Sequence, residues 1–265
     1  MRMWILWMVF PMKAFCQSNW DQVLQPSGVL QYKISNTDPF SSVQSYSSLS
    51  FIDSSAIGVS IENKYSIKGL SKLNISAQFN TQNGGWGIHS NFIGNNVFNG
   101  GSIATAYGIK ISKAFGLGFG ARFQRENLRG FSPLYLVIPQ LGIIYFFSKK
   151  MSVGFQVKKF FRPMNKSQSW YKEVVSINTG IGMQLDERFY IAMEISNQLR
   201  NISSINIYAE WMPTKLIKSY LMFQQSSAEL LGGMQININK VNIGMGISNH
   251  SYLGSSGFLT MYHVL

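Results

Sequence analysis

The chain has 265 residues, of which 46% are hydrophobic, 14% aromatic and only 13% charged, with a formal net charge of +12 and a pI of about 9.8. Soluble domains run nearer to 25% charged residues, so this composition argues against an ordinary water-exposed surface. One large all-β domain is a natural size for such a chain.

The first stretch reads MRMWILWMVFPMKAFCQSNW. Arg2 supplies a positive start, Met3 to Phe10 a short apolar run, and Ala14-Phe15-Cys16 a cleavage-like ending. Together these predict a secretory signal peptide over residues 1–16. The competing readings are a buried N-terminal strand and a lipidated Cys16, the latter poorly matched by the bulky Phe15. Cys16 is the only cysteine. A cut after it leaves a mature chain with no disulfide, thiol nucleophile or cysteine-based metal site. Residues 17–54 follow, rich in Ser, Gln and Asn, with Pro26 and Pro39 and little alternation. They are expected to form a periplasmic extension or a small plug in a lumen.

From 55 to 265, period-2 alternation keeps returning. It begins at Ile57, Val59 and Ile61 and continues through Leu73, Ile75, Ala77 and Phe79. The stretch GGMQININKVNIGMGIS (232–248) is the most regular. Met234, Ile236 and Ile238, then Val241, Ile243, Met245 and Ile247, alternate with Gln, Asn, Gly and Ser across an Asn239-Lys240 turn. About fourteen such strands are predicted, near the ~9–11 residues that cross a bilayer at a tilt. Tyr135 to Phe147 is apolar on both faces and is interrupted by Pro139, Gln140 and Gly142. No segment has the ~18 unbroken apolar residues of a membrane helix. Tight connections such as Gln82–Gly85 and Asn239-Lys240 alternate with longer ones such as Asn95–Gly100, Glu126–Pro133, Pro163–Trp170, Gln198–Ser203 and Tyr252–Ser256. That is the habit of outer-membrane barrels, with short periplasmic turns and longer outer loops. The expected fold is therefore all-β: a transmembrane antiparallel up-and-down β-barrel of about fourteen strands, with residues 17–54 as plug or hatch. A soluble β-sandwich or lipocalin-like barrel is the alternative. A lysine replacing Ile236 in a lipid-facing row is expected to cost ~2–4 kcal/mol if it sits near mid-bilayer.

Several stretches, DPFSSVQSYSSLSFIDS (38–54), SAIGVSIENKYSIKGLS (55–71), NGGWGIHSNFIG (83–94) and ATAYGIKISKAFGLGFGA (104–121), resemble the PorV/PorQ-type outer-membrane proteins. These are distant relatives of the FadL-like fatty-acid channels, linked to the type IX secretion system. The resemblance is strongest between residues 38 and 124. It implies an outer-membrane barrel whose residues 38–54 stand where the family has a plug-like segment. The chain departs from the family's turn before the first strand, reading Gln44-Ser45-Tyr46-Ser47-Ser48-Leu49. The family carries over no site residues.

Chemistry-bearing residues are sparse. Lys110, Arg122, Lys158, Glu194 and Glu210 are candidates for charged groups inside a lumen, as ion pairs or as a selectivity ring. Trp86, Trp170, Trp211 and Tyr262 are candidates for interfacial girdles, set against the general liking of strands for aromatics. His89, His250 and His263 show no ligand spacing, so neither metal nor other cofactor is expected. His250 is flanked by Ser248, Asn249 and Ser251, but neighbours along a strand point in alternate directions and do not make a triad. No enzymatic activity and no nucleic-acid module is expected. The basic excess fits lipid or lipopolysaccharide phosphates at a bacterial outer membrane, or an acidic protein partner. The reading that follows is a non-enzymatic barrel serving as accessory subunit of an outer-membrane protein assembly. A FadL-like channel for hydrophobic molecules is the second reading, for which Pro139 is the one hint, and a soluble secreted β-protein the third.

Overall fold

The computed structural model describes residues 32–33, 37–67, 69–159, 161, 175–198 and 204–265. The expected signal peptide over 1–16 and the girdle candidate Trp170 lie outside them.

Fourteen strands form one closed sheet. They are β1 (Ala56–Asn63), β2 (Ser71–Thr81), β3 (Gly84–Gly94), β4 (Phe98–Lys110), β5 (Phe115–Leu128), β6 (Leu134–Phe146) and β7 (Met151–Lys159). They continue as β8 (Val175–Gln184), β9 (Phe189–Gln198), β10 (Ser204–Trp211), β11 (Ile217–Gln224), β12 (Glu229–Ile238), β13 (Val241–His250) and β14 (Gly254–Val264). Each pairs antiparallel with its sequence neighbour, and β1 closes on β14 from Ala56↔Val264 to Asn63↔Gly257. Closure leaves no unpaired edge, which is the condition for strands to stand in lipid.

The alternation fixes which side each residue faces. Ile57, Ile103, Leu141, Leu221, Met245, Ile247 and Leu259 are exposed on the outside. Asn74, Ser76, Gln78, Gln124, Gln156 and Ser248 are buried on the inside. A soluble barrel has the opposite arrangement, apolar within and polar without. This wall is built for lipid outside and a polar interior.

The six connections on the rim that carries Ala56 and Val264 are short. Ile238 pairs with Val241 across Asn239-Lys240, and Asn239 takes a positive φ of 53°, the left-handed turn geometry that suits tight hairpins. The opposite rim departs from expectation at two loops. Asn95–Gly100 was expected to be long, yet only residues 95–97 separate β3 from β4. The Asn95 side chain accepts the Val97 and Phe98 amides at 2.8 and 2.9 Å. Residues 251–253 likewise make a three-residue turn, because His250 Nδ1 accepts the Tyr252 and Leu253 amides at 3.1 and 3.3 Å. Side chains that cap their own turn replace loop length in both cases.

Tyr262 is a correction. It was expected in an outer girdle, but it is 5% exposed and faces inward, accepting a hydrogen bond from Gln235 Nε2 at 2.9 Å. The outward row of β14 is Leu259 and Met261, so parity places Tyr262 with Phe258 and Thr260 on the lumen side. Trp86 and Trp211 do face outward, each about half exposed, and Trp86 packs on Tyr107 with ring centroids 4.7 Å apart.

Candidate functional site: the barrel lumen

A barrel of this size needs its interior filled or left as a channel. One sector is filled by the chain itself. Residues 37–53 run inside the wall, with one helical turn at Ser41–Gln44 and a 3-10 helix at Tyr46–Phe51 against β3 to β6. Phe40, Tyr46, Leu49 and Ile52 are buried. Burying an apolar side chain of this size is worth ~1.5–3 kcal/mol. Asp38 starts the segment by accepting the Phe40 amide at 2.9 Å, and Ser41 Oγ donates to the Asp38 carbonyl at 2.7 Å. Burial pushes the Asp38 carboxyl up to about 6, with the Phe40 amide and Lys218 opposing it.

Inward glycines make the space. A carbon added at Gly118 would fall on the Tyr46–Ser47 peptide, and one at Gly108 on Leu49 and Ser50. Gly116 faces Ser50 in the same way. The wall also holds the segment with polar contacts. Ser50 Oγ donates to the Leu117 carbonyl at 2.8 Å, Ser76 Oγ to the Pro39 carbonyl at 2.6 Å, and Gln156 Nε2 to the Gln44 carbonyl at 2.5 Å. Phe51 meets Phe146 edge-on with centroids 4.7 Å apart.

The opposite sector is filled by large wall side chains. Tyr190, Tyr208, Tyr220, Met222, Leu231 and Phe258 form one buried cluster with Tyr32. Here the charged candidates meet the N-terminal segment. Glu194 accepts the Tyr32 hydroxyl at 2.8 Å and is also reached by Asn178 and Asn206 at 3.3 and 3.4 Å. Glu210 pairs with Lys33, accepts the Tyr208 hydroxyl at 2.8 Å, and has Lys218 Nζ at 3.8 Å. The two glutamates thus clasp consecutive residues, Tyr32 and Lys33. Burial holds the Lys33 ammonium below its usual range while Glu210 works against that shift.

The other charged candidates are dispersed. Arg122 is buried on the inner face of β5, and Lys158 is half-buried near the end of β7. Lys110 stands exposed where β4 ends, its Nζ 5.4 Å from the Phe51 ring centre. Lys33, Lys218, Tyr208 and Tyr190 were not anticipated. The signal for Lys218 was available, because it shares the inward parity of Tyr220, Met222 and Gln224 between the outward Leu221 and Phe223.

A polar strip crosses the far half of β2 to β5. Asn74 pairs with Asn91, Asn91 with Ser102, and Ser102 with Gln124, while His89 lies one rung below. The side chains of Asn74, Asn91 and Ser102 are buried and reach no hydrogen-bond partner among the described residues. Such groups are the part of a wall that water or a polar solute engages. His250 is committed to its turn, and Ser251 Oγ donates to the Ala228 carbonyl at 2.8 Å rather than to the imidazole. Among the described residues no three His, Cys, Asp or Glu side chains cluster as metal ligands would.

No family model and no curated protein matches this sequence, so the PorV/PorQ resemblance rests on its motifs alone. Solved structures do match in fold. The Ralstonia pickettii toluene transporter TbuX superposes with a TM-score of 0.63 at 9% identity, covering 93% of this chain and 99% of its own. The Pseudomonas putida toluene transporter TodX gives 0.59 at 9% identity, covering 89% and 96%. The monoaromatic hydrocarbon channel CymD gives 0.56 at 9% identity, covering 87% and 94%. This chain shares their barrel architecture.

Proposed function

We propose that this chain is a non-enzymatic bacterial outer-membrane channel for small hydrophobic molecules, gated by its own N-terminal segment. One observation carries the reading: residues 37–53 are seated inside a closed fourteen-stranded wall whose glycines leave room for them. The architecture shared with barrels described as toluene and monoaromatic hydrocarbon channels supports the solute class.

Pro139 supports a sideways route. Val137 and Phe161 exchange both backbone hydrogen bonds at 2.9 and 2.8 Å, so alternate residues of β6 bond toward β7. Pro139 is next in that row and has no N–H to give. The β6–β7 seam is therefore short of a ladder bond where the inner face carries Leu136 and Ile138 and the outer face Tyr135 and Leu141. The exposed Arg125 and Arg129 near the far rim suit lipopolysaccharide phosphates.

The accessory-subunit reading, type IX-linked or otherwise, keeps one support: the described lumen is filled by Tyr32, the 37–53 segment and the tyrosine cluster. A tether separates the two. A carbon at Gly142 would lie 3.4 Å from Ser47 Cβ, close to disulfide spacing. In a Cys16→Ser background, Ser47→Cys with Gly142→Cys should lock the segment. Entry of labelled toluene into a Gram-negative host expressing the channel should stop on oxidation and resume on reduction. Equal entry in both states, with stoichiometric partner proteins on purification, would favour the subunit.

A further inference from the structure

We propose that the rim carrying the chain's barrel termini holds a binding site for a small soluble phosphomonoester, formed by Lys149, Lys150, Lys33 and Tyr190. A cavity of about 240 Å³ opens there between the β6–β7 turn and the first residues of β9. Its volume corresponds to roughly eight waters, a small-molecule size.

Among the described residues three lysines line this cavity and no carboxylate does. Lys33 has its charge met by Glu210. Lys149 and Lys150 make no ion pair among the described residues. Asp186, on the neighbouring turn, has its carboxylate engaged by the Arg188 and Phe189 amides, both at 2.7 Å. The floor adds a donor. Tyr190 is 2% exposed, and its hydroxyl, beside Gly182, has no hydrogen-bond partner among the described residues.

Charge selects the class. Two unmatched ammonium groups suit a phosphate monoester, which carries about −1.5 to −2 at pH 7, better than a singly charged carboxylate. Lysine meets phosphate as a point charge, without the bidentate fork by which arginine selects carboxylates. The rings of Tyr32 and Tyr190 give the body of the ligand an apolar wall. The cavity opens inside the barrel mouth, lined by the inward Ser152 and Gly182, so a soluble phosphate reaches it more directly than a lipid headgroup does.

The test is calorimetric titration of the full chain in nonionic detergent with phenyl phosphate, using phenol as the neutral control. Saturable binding of phenyl phosphate alone is expected, weakening as salt rises. Lys149→Gln with Lys150→Gln, both on an exposed turn, should weaken it roughly tenfold while leaving the barrel folded. A second arm uses nanodiscs containing phosphatidic acid. Binding there without binding of phenyl phosphate would overturn the soluble-ligand assignment. So would the absence of saturable heat, equal binding by phenol, or an unchanged affinity in the double variant. Toluene entry plays no part in this readout, so the site and the channel stand or fall separately.

Discussion

Asp38 shows how one residue in the lumen couples to pH. Its carboxyl is buried against the start of the helical turn and titrates at about 6, against 3.8 for the free group. The docked state thus holds this proton more tightly than the undocked state, the reverse of the usual paired carboxylate. Docking is at full strength below about pH 4 and loses up to ~3 kcal/mol as pH rises through about 6. Lys218 and Glu210 face the same group and carry opposite charges, so the net trend follows burial. Protection of residues 37–53 from protease should therefore increase between pH 7 and pH 5. In Asp38→Asn, which keeps an acceptor for the Phe40 amide, that increase should vanish. An undiminished pH response in the variant would assign the effect elsewhere. The lipid face gives a second test at this scale. Ile236 lies two residues inside the end of β12, next to the Asn239-Lys240 turn, so it stands near the interface rather than at mid-bilayer. Met245, fifth in β13 and 47% exposed, is the deeper position. Met245→Lys should cost ~2–4 kcal/mol and Ile236→Lys ~0–1 kcal/mol. Urea titration of refolded barrels would expose equal costs, which the register does not allow.

The glycines of β4 and β5 work as an element. Alternation alone places them inward, and a row of inward glycines reads as a narrow polar lumen. The structure gives the row its reason, because Gly108 and Gly118 admit backbone from another part of the chain and Gly116 admits its Ser50 and Phe51 side chains. That partner was illegible in the composition of residues 17–54, which has no period. Its apolar anchors are irregularly spaced at Phe40, Tyr46, Leu49 and Ile52 because it follows the wall instead of pairing with it. Strand count, facing and closure were legible because period-2 patterning reports burial directly. Loop length on the far rim was misjudged where Asn95 and His250 fold their own turns. Tyr262 was misassigned because an aromatic near a strand end looks alike on either face until register is fixed. From the seating follows a directional expectation. Gly118→Val should unseat the Tyr46–Phe51 helix at a cost of ~1–3 kcal/mol or more while leaving strand pairing intact. Gly257→Val, where an added carbon meets nothing within 4 Å, is the matched control. Hydrogen exchange over 40–52 should rise in the first variant only; equal protection in both would mean that the glycine row does not position the segment.

For the molecule as a whole, the question is whether the wall or the N-terminal segment closes the lumen. The tyrosine cluster occupies the β9 to β12 side and the segment the β3 to β6 side, so neither fills the cross-section alone. Removing residues 17–53 takes out the 37–53 occupant and also Tyr32 and Lys33, which Glu194 and Glu210 hold. Among the described residues, the buried and half-buried inward charges of the remaining wall are Lys64, Lys72, Arg122, Lys158 and Lys218, against Glu62, Glu126, Glu194, Glu210 and Glu229, while Lys110, Lys149 and Lys150 stand exposed to water at the mouth. Those charges balance, so the opened pore should conduct ions with little preference between cation and anion. The full chain should be near silent in planar bilayers. The truncated chain should give steady conductance with a reversal potential near zero in a KCl gradient. Silence from a truncated barrel that still assembles would mean that Tyr190, Tyr208, Tyr220 and Phe258 seal the lumen themselves, which would remove the gating role from the N-terminal segment. A strongly selective current would mean instead that part of this charge is neutralised in the opened wall, with Glu210, stripped of Lys33, the first place to look.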